Sequence, residues 1–125
     1  MSTENNLDIV FKNSLKILSD LIAFKTVSGE NNNPLINYCD ELLKKYGATS
    51  FKTYDEEKKR ANLFATLKAE KTNGKKPIIF SGHTDVVPAS KDWNTDPFVA
   101  TIKDEKVFGR GACDMKGFIA CTLAY

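Results

Sequence analysis

The chain has 125 residues, 42% hydrophobic and 27% charged, which is the composition of a globular domain with its own core. Its net charge of +2, from 18 basic and 16 acidic residues, is too balanced to indicate a nucleic-acid partner. The start, MSTENNLDIV, is polar and acidic, and no run approaches the ~20 apolar residues of a membrane span, so we expect a cytoplasmic protein without a membrane partner. The cysteines form no CxxC pair and are expected to be free thiols: Cys39, Cys113 and Cys121.

Two amphipathic helices are predicted in the first part of the chain. Before Phe24, apolar residues recur at three- and four-residue steps: Leu7, Phe11, Leu15, Leu18 and Ile22. A loop over 26–32 follows, and Asn33 with Pro34 supplies an N-cap and a proline at the first helical position. The second helix is expected to end at Gly47, a residue suited to a left-handed cap.

Extended segments dominate the middle of the chain. Residues 49–53 alternate and predict a half-exposed strand, and residues 62–67 predict another beyond the charged DEEKKR turn. The short apolar run from Ile78 to Gly82 predicts a strand buried on both faces. Two extended pieces, 97–102 and 106–108, surround a KDE turn, and FIACTLAY has the composition of a helix. Because nothing caps that last helix, we expect the N-terminal part of a larger α/β protein.

The apolar run ends abruptly at HTD, with the chain's single histidine beside a carboxylate. Residues two apart on extended backbone point to the same side, so His83 and Asp85 are expected to face one cavity. An imidazole can bind a metal through one nitrogen while the other donates to a carboxylate. The alternative is a histidine that makes only a structural hydrogen bond at a strand end.

A second candidate lies in GRGACDMKG. Gly109 and Gly111 allow a sharp turn that directs Asp114 toward a site, and a carboxylate has two oxygens with which to bridge two cations. The alternative is that Asp114 only caps the last helix. Cys113 could act as a nucleophile with His83 as its base, but its small and apolar neighbours fit a buried structural thiol better.

Two basic residues of the same segment, Arg110 and Lys116, have weaker claims to a functional role. Either could contact an anionic substrate, but solvated or loop-bracing roles fit better. The nucleotide-binding patterns GxxxxGK[ST] and GxGxxG are absent from the sequence, so nucleotide binding is not indicated.

Three segments in order, SGHTDVVP, WNTDPF and GRGACDMKG, resemble the zinc-dependent M20 family of peptidases and deacylases. The resemblance implies a three-layer αβα zinc-peptidase-like catalytic domain with a mixed, largely parallel sheet. Residues 1–125 would be its N-terminal, metal-binding part, without the lid and dimerisation domain. It also implies a two-zinc site, with cobalt as a substitute, in which His83 ligates one ion and Asp114 bridges both. The resemblance further implies that Asp85 is the catalytic-site residue that orients His83, and that the peptide bond after Asp114 is cis.

Within the family, GRGACDMKGFIA and the DPF after Trp93 look more like acetylornithine deacetylases than succinyl-diaminopimelate desuccinylases. The implied function is removal of the acetyl group from N-acetylornithine in arginine biosynthesis, on a small N-acyl amino acid substrate, with a homodimer for the complete protein. A desuccinylase or dipeptidase of the same family is the alternative, and a non-catalytic binding module is the alternative of another class. Because the family's paired glutamates and last histidine have no match here, we expect the 125-residue chain alone to be inactive.

Overall fold

The computed structural model describes residues 5–71 and 73–125. Within them lie three α-helices and two strand pairs, in the order α1 Asn6–Ala23, α2 Asn33–Lys45, β1 Thr49–Tyr54, β2 Ala61–Thr66, β3 Thr101–Lys103, β4 Lys106–Phe108 and α3 Gly117–Ala124. An irregular turn, Ala112–Lys116, leads into α3. None of the helices in these ranges is both long and apolar enough to cross a bilayer.

Helix α1 confirms the first predicted helix, but only its second half is buried. Asn5 caps its start by accepting a hydrogen bond from the backbone of Leu7 at 3.3 Å. Leu7 and Phe11, on the predicted apolar face, are 70% and 63% exposed. Burial is concentrated near the C-terminal end of the helix, at Ile17, Leu18, Leu21 and Ile22.

Helix α2 begins with Pro34 in its first turn and is followed by Gly47, whose φ is 83°, as the sequence predicted. The N-cap position is held by Asn32 rather than Asn33, and the Asn32 side chain does not cap the helix. Its amide is engaged elsewhere, since Nδ2 donates to the carbonyl of Ala61 at 3.0 Å and Oδ1 accepts from the Ala61 N–H at 2.8 Å. This side chain therefore ties the start of α2 to the start of β2.

The strand pairs are both antiparallel hairpins. In the first, Thr49 lies opposite Thr66 in β1 and β2, and in the second, Thr101 lies opposite Phe108 in β3 and β4. Parallel pairing in the described residues is a single bridge between Val27 and Val86.

The polar face of β1 packs on α2, and its aromatic face is exposed. Buried Asp40 of α2 accepts a hydrogen bond from Ser50 at 2.5 Å and forms an ion pair with Lys52 at 2.8 Å. On the other face Phe51 and Phe64 stack with ring centroids 5.2 Å apart. The alternation predicted for this hairpin is present, with the polar side turned inward.

The prediction of a buried strand over Ile78 to Gly82 is wrong for the described part of the chain. This segment forms no strand ladder there, and Ile78, Ile79 and Phe80 are 80%, 75% and 63% exposed. An apolar run is buried as a strand only when neighbouring strands and helices cover it. Among the described residues, no named strand pairs with it.

The core lies between α1, α2, β2 and α3, and it consists of Ile17, Leu18, Leu21, Ile22, Leu35, Ile36, Cys39, Ala61 and Ala120. Burial raises the pKa of the Cys39 thiol to about 12. Lys116 is also fully buried, and its Nζ donates to the carbonyls of Leu21 at 2.8 Å and Phe24 at 2.7 Å. The segment before α3 is thereby fastened to the C-terminal end of α1.

Candidate metal site

The candidate site is centred on the ring of His83, whose two nitrogens face different oxygen atoms. Nδ1 lies 3.0 Å from the carbonyl oxygen of Asp85 and 3.3 Å from its carboxylate Oδ1. Nε2 lies 2.9 Å from Oδ1 of Asp114. The side chains of His83, Asp85 and Asp114 are 48%, 55% and 84% exposed, so solutes can reach the group from solvent. The structure thus brings the three sequence-predicted residues together, although the strand expected to carry His83 is not formed.

Asp114 reaches His83 because the chain turns sharply before it. Gly111 has φ 83°, and a Cβ at that position would lie 2.6 Å from Cγ1 of Val86, so a side chain is excluded on both grounds. Asp114 itself has φ −124° and ψ 97°, outside the helical range. The peptide bond between Asp114 and Met115 is cis, as the family resemblance predicted.

The alternative role of Asp114 as a helix cap is wrong. Lys116 occupies the N-cap position of α3, and no side chain makes a capping hydrogen bond there. Met115, the residue after Asp114, contacts the segment that carries His83, because its Sδ accepts a hydrogen bond from the backbone N–H of His83 at 3.3 Å.

A segment that sequence reasoning did not assign to the site, residues 26–28, supports His83 and Asp85 from behind. Val86 donates its N–H to Thr26 at 2.9 Å, and Ser28 donates its N–H to Val86 at 3.0 Å. The Ser28 hydroxyl donates to Oδ2 of Asp85 at 2.5 Å. Ser28 and Asp85 are 57 residues apart, so no local pattern signals this contact; the bridge between Val27 and Val86 creates it.

The hydrogen bonds favour the charged forms of His83 and Asp85. The bond to Asp114 is the main cause that raises the pKa of His83 above its ordinary value, and the carbonyl of Asp85 acts in the same direction. The hydroxyl of Ser28 is the main cause that lowers the pKa of Asp85. Because a proton and a metal ion compete for the same Nε2 lone pair, metal binding at His83 is expected to weaken as the pH falls.

The donor atoms suit a divalent cation such as zinc. Two ligands held at ~2.0–2.1 Å by a tetrahedral zinc lie roughly 3.3 Å from each other. Nε2 of His83 and Oδ1 of Asp114 are 2.9 Å apart, so a small adjustment would place an ion between them. In residues 5–71 and 73–125, no group of three or more His, Cys, Asp or Glu side chains is clustered as a metal site. The pair alone would therefore not complete a zinc site.

The weaker candidates have other roles. Cys113 is exposed, which overturns the expectation of a buried thiol, and both nitrogens of His83 face oxygen atoms instead of its sulfur. Arg110 lies over the Trp93 ring at 5.1 Å and donates to the carbonyl of Pro88 at 3.3 Å. With Lys116 buried against α1, both basic residues brace loops, which confirms the preferred reading of their roles.

Comparison with known proteins gives matches in sequence and in fold. The model of Peptidase family M20/M25/M40 matches residues 79–125, which include His83, Asp85 and Asp114. Succinyl-diaminopimelate desuccinylase of Rickettsia felis is 44% identical over 116 residues, covering 88% of this chain and 29% of the relative. The enzyme of the same name from Rickettsia canadensis is 46% identical over 115 residues, covering 87% and 29%. Residues 79–125 are thus similar to the M20/M25/M40 peptidases, and most of the chain is similar to two desuccinylases.

The fold agrees with that result. The crystal structure of human carnosine dipeptidase 1 superposes with a TM-score of 0.72 at 24% identity, covering 94% of this chain and 29% of that chain. The predicted M20-type α/β fold is confirmed by this match. The chain spans about 29% of the length of the relatives it matches.

These matches do not support the predicted subfamily. The relatives carry the name of the desuccinylase, which was the alternative, and do not support the acetylornithine deacetylase that the motifs favoured. The M20 motifs HTDVVP and DMKG contain the candidate ligands, and by resemblance both subfamilies share them. The prediction rested instead on GRGACDMKGFIA and the DPF after Trp93, and the matches over 116 and 115 residues do not bear it out.

Proposed function

We propose that this chain is the metal-binding N-terminal part of an M20 amidohydrolase that removes a succinyl group from an N-succinyl amino acid. One observation carries the proposal: His83 Nε2 faces Asp114 Oδ1 at 2.9 Å, in a chain that is 44% identical to a succinyl-diaminopimelate desuccinylase. His83 would ligate one zinc ion, Asp114 would bridge two, and Asp85 would orient His83.

Each residue has a separate task in this proposal. Asp85 accepts the Nδ1 proton of His83, which leaves the Nε2 lone pair for a cation. Asp114 contributes carboxylate oxygens, which can hold cations on both sides of the group. A bound divalent cation would lower the pKa of a water molecule and polarise the amide carbonyl of the substrate.

The residues described here supply ligands and orientation but not a separate general base. Asp85 is engaged by His83 and Ser28, and Asp114 is engaged by His83. Catalytic zinc sites use about three protein ligands, and general acid–base catalysis needs a further group within hydrogen-bond reach of the proton. We therefore expect complementary ligands and the base to be supplied by polypeptide corresponding to the remainder of the relatives.

Zinc titration of the 125-residue chain tests the ligand assignment. Calorimetry is expected to show weak binding, because the side chains of His83 and Asp114 alone do not complete a zinc site. His83→Ala and Asp114→Ala should each abolish that binding, while the exposed carboxylate variant Glu57→Ala should leave it unchanged. The chain alone is expected to release no product. Stoichiometric submicromolar binding accompanied by turnover would contradict the view that the site is incomplete.

Two chimeric enzymes test the activity and the acyl group. In one, this chain replaces the matching region of the Rickettsia felis desuccinylase, and in the other it replaces that of an acetylornithine deacetylase. We expect the first to hydrolyse N-succinyl-diaminopimelate, and to lose that activity on His83→Ala. Activity only in the second chimera, on N-acetylornithine, would reverse the assignment in favour of the substrate that the motifs indicated. Circular dichroism of both chimeras checks that each is folded.

A further inference from the structure

We propose that Ser28 is a positioning residue of the metal site, whose hydroxyl fixes the Asp85 carboxylate that orients His83; the inference rests on the proposed metal-binding function. The Ser28 hydroxyl donates to Oδ2 of Asp85 at 2.5 Å. The other oxygen, Oδ1, lies 3.3 Å from Nδ1 of His83. The two oxygens of one carboxylate are therefore held by two different partners, the hydroxyl on one side and the imidazole on the other.

The backbone around Ser28 is fixed to the same segment that carries Asp85. Ser28 donates its N–H to the carbonyl of Val86 at 3.0 Å, and Val86 donates its N–H to the carbonyl of Thr26 at 2.9 Å. Buried Thr26 adds a hydroxyl bond to the carbonyl of Thr84 at 2.6 Å. Segment 26–28 is thus anchored to the residues on both sides of Asp85, with Ser28 bonded to Val86 and Thr26 to both Val86 and Thr84.

Asp85 needs such a partner because its carboxylate is open to solvent. Its side chain is 55% exposed, and the terminal torsion of an aspartate has a broad energy profile. Without a donor on Oδ2, the carboxylate is free to rotate away from His83. With the hydroxyl in place, Oδ1 stays beside Nδ1 and acts together with the carbonyl of Asp85, 3.0 Å from the same nitrogen, to keep Nε2 directed at Asp114.

The segment that carries Ser28 is also linked to the loop that carries Asp114. Buried Lys116 donates to the carbonyls of Leu21 and Phe24, at the end of α1 from which the chain continues to Ser28. The segment that carries Ser28 and the loop that carries Asp114 are therefore both attached to the C-terminal end of α1. Ser28 completes this arrangement on the His83 side without itself facing the gap between Nε2 and Asp114.

The single histidine of the chain allows a direct test in the absence of metal. In protein labelled with ¹⁵N-histidine, every imidazole signal comes from His83. Ser28→Ala should shift the Nδ1 resonance, because the Asp85 carboxylate is released, and Ser28→Thr should restore it by retaining the hydroxyl. The matched control is Ser14→Ala, whose hydroxyl donates to Val10 within α1, and it should shift nothing. An unchanged Nδ1 resonance in Ser28→Ala would overturn the proposal.

Zinc affinity gives the second readout. Loss of a group that orients a metal-binding histidine typically weakens metal affinity by about 10- to 100-fold, and we expect Ser28→Ala to lie near the tenfold end. If Ser28 acts through Asp85, Ser28→Ala should cause no further loss in an Asp85→Ala background. An equal loss in both backgrounds would show that Ser28 acts elsewhere and would refute the inference. Absence of zinc binding in the wild-type chain would count against the proposed function, while the imidazole resonances would still decide the role of Ser28.

Discussion

Asp40 shows how one buried carboxylate can join two elements. Its carboxylate accepts a hydrogen bond from Ser50 at 2.5 Å and forms ion pairs with Lys52 at 2.8 Å and with Lys44 at 2.9 Å. The bond to Lys52 is the largest of the effects that hold the pKa of Asp40 well below its ordinary value of 3.8, followed by those to Ser50 and Lys44. Folding is thus coupled to the ionised state of this group.

The sign of the resulting pH dependence follows from the lowered pKa of Asp40. Below about pH 4 the unfolded chain binds a proton at this carboxyl while the folded chain does not, so stability falls as the pH falls. Asp40→Asn should lower the free energy of unfolding near pH 7 by about 1.5–3 kcal/mol, the range for hydrogen bonds to charged groups. It should also reduce the loss of stability on acidification. Urea unfolding near pH 7 and below about pH 4 measures both effects.

The control for Asp40 is Glu57→Gln, which removes an exposed ion pair with Lys59. Exposed pairs contribute about 0–1 kcal/mol, so little change is expected. An Asp40→Asn variant with wild-type stability and an unchanged acid response would show that the carboxylate does not join α2 to β1.

The residues of the candidate site differ in whether the sequence could predict them. His83 and Asp85 are two residues apart and Asp114 follows a glycine-rich turn, so short-range patterns made all three candidates, and the family resemblance selected them. Ser28 meets Asp85 across 57 residues, and no spacing rule predicts such a contact. It arises from pairing between segments, which is a tertiary property.

At the scale of elements, Lys116 supplies a charge that α1 lacks. The last turn of α1 contains no basic residue, yet the carbonyls of Leu21 and Phe24 both accept from the Lys116 ammonium group. A positive charge at a helix C-terminus is stabilising. Burial lowers the pKa of Lys116 to about 8, so the ammonium form still predominates near pH 7.

Replacing Lys116 with methionine keeps the apolar stem and removes the donor. We expect Lys116→Met to lower the free energy of unfolding by about 2–3 kcal/mol, because buried carbonyls are left without a hydrogen bond. The exposed Lys103→Met variant should change it by less than about 0.5 kcal/mol. Equal stabilities of the two variants in urea would show that the contact between α3 and α1 does not depend on this lysine.

The predicted elements differ in accuracy for a physical reason. The bounds of α2 follow from its proline and glycine signals, which are local to the helix. The run from Ile78 to Phe80 has the composition of a buried strand, but burial depends on partners from other parts of a fold. Local proline and glycine signals therefore located the helix, whereas composition misjudged the environment of the apolar run.

At the scale of the whole molecule, the exposed apolar run from Ile78 to Phe80 is expected to contribute little to stability. Ile79 is 75% exposed, whereas Leu21 is fully buried in the core. Ile79→Ser should change the free energy of unfolding by less than about 0.5 kcal/mol and should reduce binding of a hydrophobic dye. Leu21→Ala should lower it by about 2–5 kcal/mol, the usual range for a buried leucine. Strong destabilisation by Ile79→Ser in urea would mean that the segment is covered in solution.

The amide of Asn32 limits how the sheet of β1 and β2 can grow. By taking both the N–H and the carbonyl of Ala61, it occupies one end of the free edge of β2. Hydrogen-bonding directions alternate along a strand, so Leu63 and Ala65 point their backbone groups to that same edge. Because Asn32 already bonds both backbone groups of Ala61, an additional strand can pair with this edge only from Leu63 onward. One side chain at a helix start thus sets the position from which a strand added to this edge can begin to pair.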